Sequence, residues 1–304
     1  MPKISVIITI YNRPDRIPLA ITTAVKQTFK DMEIIVVDGA NSKENQAIVN
    51  SFMNNTKIKN TKKKIRYVPV EPEAVNYISY KGIQHSRNVG CKAAKGKYIA
   101  MLDDDDSWEP TKLEKQVKEM DIFDEEKGTL GLVLCWTKIN TNDGYFIDKT
   151  LAYPKYSDLL RSFNLSSTSS YLIRRDVLEE IGYWNEELRG MHEYDIALKL
   201  TQHGYWIYTI PETLMIRNRM SNITIESGHY YYFKIAEILD LWKYYGKDFI
   251  KHIGFSGFTM NVIKTVLLSG LFLFGYVIKE RIWDIIYPLK KAYDFGGVEQ
   301  CISQ

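Results

Sequence analysis

Cysteine is scarce: Cys91, Cys135 and Cys301 are the only three in 304 residues, and they stand far apart with no C-x-x-C pair. Neither a disulfide framework nor a zinc knuckle is supported, and a reducing compartment is expected. A surplus of charge is lacking too, since 40 Lys and Arg face 37 Asp and Glu for a formal net charge of +3. Such a field is too weak to argue for nucleic acid as a partner. The five histidines form no H-E-x-x-H arrangement, so each reads as a surface or core histidine rather than a metal ligand. No G-x-G-x-x-G follows the first apolar run, which argues against a nicotinamide or flavin dinucleotide enzyme. The stretch GCKAAKGK from Gly90 is not a phosphate loop, because five residues separate its glycines and Tyr98 stands where Ser or Thr should meet the metal. The chain also opens on Met1-Pro2-Lys3 and runs straight into a strand-like segment, without the leader of a secretory signal.

What is present is the pattern of an α/β protein: short β-branched runs alternating with helix-period segments, as around a mostly parallel sheet. Ile4 to Ile10, Glu33 to Val37, Ile65 to Val68 and Tyr98 to Leu102 read as strands. Ile17, Ala20, Ile21, Ala24 and Val25 repeat at helical spacing, with Pro14 taken as the first-turn proline. Asn54 to Lys64, a tract with five lysines, reads as a solvated loop. Further on, Pro110 opens a helix with a face of Leu113, Gln116, Val117 and Met120. Leu130 to Trp136 and Tyr171 to Ile173 are strands, and Asp176 to Ile181 and Glu193 to His203 are helices.

Ligands of open α/β sheets bind at the carboxyl ends of strands. Two such ends here are acidic, at Asp38 and at Asp103 to Asp106. Four adjacent carboxylates raise one another's pKa unless a cation intervenes. Hard oxygen ligands suit Mg²⁺ or Mn²⁺ with substrate phosphates completing the shell. The competing reading is an acidic loop that complements the dipole of the Pro110 helix.

Three segments together carry a family resemblance: ISVIITIYNRPDRIPLAITTAVKQTFKDMEIIVVDGA, HSRNVGCKAAKGKYIAMLDDDDSWEPTKLEKQV and SSYLIRRDVLEEIGYWNEELRGMHEYDIALKL. Over residues 3 to about 217 the chain resembles the family 2 glycosyltransferases of the GT-A fold. The resemblance implies a mixed, mostly parallel sheet flanked by helices, and a catalytic domain over residues 1–225. It places Asp103, Asp104 and Asp105 on the D-x-D motif, with Asp105 the direct metal ligand and Asp103 or Asp104 facing ribose or metal. Thr9 and Tyr11 fall on positions lining the nucleobase pocket. Asp38 matches the first acid of a V-V-D-D-G-S segment whose second acid is Gly39 here, which weakens the case for UDP over other nucleotides. Arg87 and Asn88 match an A-R-N segment whose arginine can meet the pyrophosphate. Glu193 stands where the family's catalytic base is an aspartate, and Asp195 is the alternative.

The implied reaction is inverting, metal-dependent transfer from a nucleotide-diphosphate sugar, a UDP-sugar first among them, to a hydroxyl of a saccharide or polyprenyl-linked saccharide. A sugar-nucleotide nucleotidyltransferase and a silent sugar-binding protein are the other classes. Trp108, Trp136 and Trp184 could stack on sugar or base, or simply pack. Residues 226–304 read as a helical, partly apolar extension. Within it the longest charge-free run, Thr265 to Ile278, is 14 residues, short of the roughly 20 that span a bilayer. An interfacial segment at the cytoplasmic membrane face is expected, with a packed helix or a span as alternatives.

Overall fold

The computed structural model describes residues 1–61, 63–71, 81–126, 129–141, 144–161, 165–188, 190–218, 237, 240–252 and 299–301. Its first half is a parallel sheet. Strands β1 (Ile4–Ile10), β2 (Met32–Asp38), β3 (Lys64–Pro69) and β4 (Tyr98–Asp103) lie in the order β3-β2-β1-β4. Every residue of β1 and β2 is buried, as expected of Val- and Ile-rich strands covered on both faces. The side chains alternate between two cores. Ile7, Ile35, Val37 and Met101 face one, and Val6, Ile8, Ile34 and Val36 the other.

Helices α1 (Ile17–Val25), α2 (Lys43–Asn54), α3 (Thr56–Lys59) and α4 (Lys81–Ala93) connect these strands. The first-turn proline of α1 is Pro18, not Pro14, which lies in the turns ahead of the helix. The lysine tract is not the expected solvated loop either. It closes α2 and forms α3, where Ile58 packs against the core. Lys63 is 3% exposed and donates to the carbonyls of Val25, the last residue of α1, and of Gln27 just beyond it. Burial, with Lys30 adding repulsion, pushes its pKa down to about 8.

The second half is mixed. It comprises β5 (Asp106–Trp108), α5 (Lys112–Glu126), β6 (Leu130–Thr141), β7 (Gly144–Asp148), α6 (Tyr156–Arg161), a 3₁₀ turn (Thr168–Ser170) and β8 (Leu172–Arg174). α7 (Arg175–Glu180), α8 (His192–Gln202), β9 (Trp206–Asn218), α9 (240–252) and β10 (Glu299–Cys301) follow. β8 joins the two halves, pairing antiparallel with both β4 and β6. β9 runs parallel to β6 and antiparallel to β5. Its Pro211 and Glu212 fall in a register break between Ile210 and Thr213. A bulge tolerates a proline that has no N–H for the ladder.

Beyond residue 218 the described chain adds α9. Leu241, Tyr245 and Phe249 are buried in the same cluster as α7 and α8. This helix, at the start of the expected C-terminal extension, thus packs on α7 and α8. Among the described residues no helix is long and apolar enough to cross a membrane. Residues 253–278, expected to contact a membrane, lie outside the described residues.

Candidate active site

The strand order reverses between β1 and β4, and the acidic ends meet at that switch point. In register, Thr9 pairs with Asp103 and Ile10 with Asp38. The four aspartates then diverge. Asp103 is one-fifth exposed and accepts from Arg87 Nη2 at 2.9 and 3.1 Å, with Thr9 Oγ1 at 3.4 Å; its backbone N–H donates to Ser169 Oγ. Asp104 is buried against Arg13, which also reaches Asp105 at 2.8 Å, and Arg16 lies 3.6 Å from Asp105. Burial, reinforced by Asp105 and Asp103 against the opposing pull of Arg13, lifts the Asp104 pKa to about 7. Asp105 keeps about a third of its side chain exposed.

Asp106 opens β5 at 2% exposure, and among the described residues its Oδ1 has no hydrogen-bond partner. Burial, then the charges of Asp103 and Asp105, raise its pKa well above the carboxylate range, which favours the neutral acid. The turn at Asn12, with φ of 44°, carries the chain from β1 into Arg13. Asparagine is among the few residues that adopt this conformation readily.

Asp38 is fully buried with both oxygens engaged by the protein. Ala40 N–H and Asn45 Nδ2 donate to Oδ1 at 2.9 and 3.0 Å, and Ser42 N–H and Tyr67 Oη to Oδ2 at 2.9 and 2.8 Å. It holds the loop after β2 in shape. Tyr11 is one of the few exposed aromatics, and its backbone N–H reaches Asp104.

Glu193 sits in the first turn of α8, just after Met191, a bulky residue with φ of 56°. Such strain gathers at functional sites. Thr168 Oγ1 donates to Glu193 Oε1 at 2.8 Å, and Tyr171 Oη to the Glu193 carbonyl at 3.1 Å. Burial alone would raise its pKa, but the charges of His192 and Arg87 and the bond from Thr168 outweigh it and hold the carboxyl well below its usual range. Arg87, 2% exposed, thus acts on both Asp103 and Glu193, and among the described residues its Nε and Nη1 have no hydrogen-bond partner.

Asp195 is two residues on, roughly 200° around the helix. It is 1% exposed, its Oδ1 accepts from Tyr245 Oη of α9 at 2.7 Å, and its Oδ2, without a hydrogen-bond partner among the described residues, forms an ion pair with Lys199 Nζ at 2.8 Å. The two acids therefore have separate surroundings, Thr168, Tyr171 and Arg87 for Glu193 and the α9 interface for Asp195. Of the tryptophans, Trp108 donates to the Ser169 carbonyl and Trp184 is 2% exposed, so both are packed. Trp136 is half-buried, with Lys149 Nζ 5.3 Å from its ring centre.

Sequence reasoning overlooked Arg13, Arg16, Thr168 and Ser169. The two arginines just past β1 in Y-N-R-P-D-R were a usable signal. The serines and threonine of S-S-T-S-S-Y were not, because their role depends on pairing between β8 and β4.

Residues 5–182 match the family described as Glycosyl transferase family 2. The chain belongs to that family. An uncharacterised glycosyltransferase of Methanocaldococcus jannaschii is 28% identical over 73% of this chain and 72% of its own length. A UDP-Glc:alpha-D-GlcNAc-diphosphoundecaprenol beta-1,3-glucosyltransferase of Escherichia coli is 36% identical over 40% of this chain and 42% of its own length. In fold, the chain is similar to a Pyrobaculum calidifontis mannosyltransferase solved with GDP-Man and Mn²⁺, with a TM-score of 0.60 at 15% identity over 96% of this chain and 80% of that one. The fold is accordingly the GT-A type. As a member of a glycosyltransferase family, the protein is an enzyme.

Proposed function

We propose that this glycosyltransferase inverts configuration in a single displacement, with Glu193 as general base and the aspartates of β4 as the metal-assisted donor site. One observation carries the reading: the buried Arg87 guanidinium joins the two, bonding Asp103 and acting on Glu193. Glu193 takes the proton from the acceptor hydroxyl as that oxygen attacks the anomeric carbon opposite the nucleotide. A base so acidic in the free enzyme is weak. Diphosphate docking beside Arg87 competes for its field and raises the basicity of Glu193 when donor is present. Tyr11 offers an exposed ring to the nucleobase, and Thr9 and Asp38 shape the floor beneath it.

The residues fit a divalent metal. Asp105 is a hard oxygen donor, partly exposed, and its partners Arg13 and Arg16 are mobile-ended side chains that a cation can replace. Among the described residues no three acids, histidines or cysteines converge as a ready-made cage. That agrees with Mg²⁺ or Mn²⁺, which take one or two carboxylates and complete their shell with substrate phosphates and water. Asp105 would hold the ion with Asp103 beside it, and when bound the ion neutralises charge growing on the departing diphosphate.

The acceptor we propose is a saccharide carried on a polyprenyl diphosphate. The name of the Escherichia coli relative supports it, as does the apolar, lysine-framed stretch of residues 253–278, which suits an anionic membrane surface. A panel of UDP- and GDP-sugars with Mn²⁺, read by release of free nucleoside diphosphate and by thermal stabilisation, tests the donor. Liposome flotation of the full chain against a truncation after His252 tests the membrane contact. A truncated protein that floats equally well would refute it.

A further inference from the structure

Helix α9 grips the turn that carries Glu193. Tyr245 Oη donates to Asp195 Oδ1 at 2.7 Å inside the core, Lys199 Nζ pairs by charge with Oδ2 at 2.8 Å, and that ammonium donates its hydrogen bond to the Tyr183 carbonyl at 3.1 Å. The backbone N–H of Asp195 closes the first bond of α8 onto Met191 at 3.1 Å. Its side chain therefore anchors the turn in which Glu193 sits, from the face opposite the crevice. Glu237, just ahead of α9, packs on Gly190, where an added Cβ would come within 2.2 Å of it. At the far end of the same pair of helices Tyr156 Oη donates to Asp248 at 2.6 Å, with Gln202 joining both.

We infer that Tyr245 is a positioning residue, which through the buried Asp195 fixes the first turn of α8 so that Glu193 meets the acceptor. This rests on Glu193 being the base. A helix start as strained as Met191, with no side-chain cap, is held by its partners on either side. Thr168 and Tyr171 hold the crevice side, and Asp195 and Tyr245 the other. Among the described residues, the charged or titratable groups that act on Glu193 are Arg87 from α4, His192 and Tyr194 from α8, and Tyr171 ahead of β8. None lies on α9, so Tyr245 acts on Glu193 through geometry.

The test pairs Tyr245→Phe with Tyr156→Phe in the full chain. Each removes one hydroxyl from the α9 interface, but only the first removes it at the base. Two readouts apply: Mn²⁺-dependent hydrolysis of UDP-glucose, UDP-GlcNAc and GDP-mannose, and the ¹³C titration of the Glu193 carboxyl, assigned by its loss in Glu193→Gln. Tyr245→Phe should lower kcat roughly tenfold with KM within about twofold. It should also move the carboxyl titration upward as the Thr168 bond loosens. Tyr156→Phe should leave both unchanged while costing comparable melting temperature. Equal behaviour of the two variants overturns the inference. Full turnover by Glu193→Gln would instead remove the base reading, and the titration, which needs no substrate, still decides whether Tyr245 sets the environment of Glu193.

Discussion

The donor and acceptor halves of the proposed site are built by different means. On the donor side, β1, β2 and β4 are neighbouring parallel strands, and their register alone brings Thr9, Asp38 and Asp103 to one edge. On the acceptor side, Glu193 sits on a helix start positioned by groups from distant places: Thr168 and Tyr171, Arg87 of α4, and Tyr245 of α9. Strand register is rigid and tolerates sequence change away from the ends. A helix start held by side chains depends on each of them. Arg87 is the one described side chain that acts on acids of both halves, so breaking the comparison means perturbing each side and then the link.

A large effect is expected on the donor side. Asp105→Ala should lower Mn²⁺-dependent turnover by roughly 10³-fold, about 4 kcal/mol of transition-state stabilisation. Isothermal titration with nucleoside diphosphate and Mn²⁺ should show the metal-dependent part of binding gone. Near-normal turnover in chelated buffer would dismiss a metal role for Asp105.

Next comes the link. Arg87→Gln leaves Asp103 without its buried partner, and breaking such a pair costs on the order of 3–5 kcal/mol. Melting should fall by several degrees and turnover by roughly 10- to 100-fold. A variant as stable as the parent would mean that the two halves are not joined there.

Asp38→Ala should act mainly on stability. It strands the buried amide of Asn45 and the backbone donors of Ala40 and Ser42, at a cost of about 1–3 kcal/mol in denaturant unfolding. Its kcat should change little once the protein is folded. The smallest effect belongs to Asp106→Asn. Since burial and neighbouring charge already favour the neutral acid, the amide is nearly isosteric and turnover should stay within about twofold. A large loss would give Asp106 a charged role.

The same contrast explains what the sequence makes legible. Apolar runs ending in acid are local signals, so β1, β2, β4 and the carboxylates at their ends can be read directly. The terminal acids Asp103 to Asp106 are adjacent in sequence, yet only packing separates a buried Asp106 from a partly exposed Asp105. β9 is hidden by Pro211, tolerated only because β6 and β9 break register there. The fates of Glu193 and Asp195 follow from helical spacing, but which face meets α9 depends on residues 50 positions further along the chain. Arg13 lay in plain view beside β1, and its pairing with Asp104 and Asp105 required the turn at Asn12.

The central claim is that Glu193 takes the acceptor proton while the β4 aspartates hold the donor. Comparing Glu193→Gln with the parent, by nucleoside diphosphate release and by donor affinity in the presence of Mn²⁺, tests it most directly. The account predicts a loss of turnover of roughly 10²- to 10⁴-fold with donor affinity essentially unchanged. Full turnover in Glu193→Gln, or a loss confined to donor affinity, would contradict it.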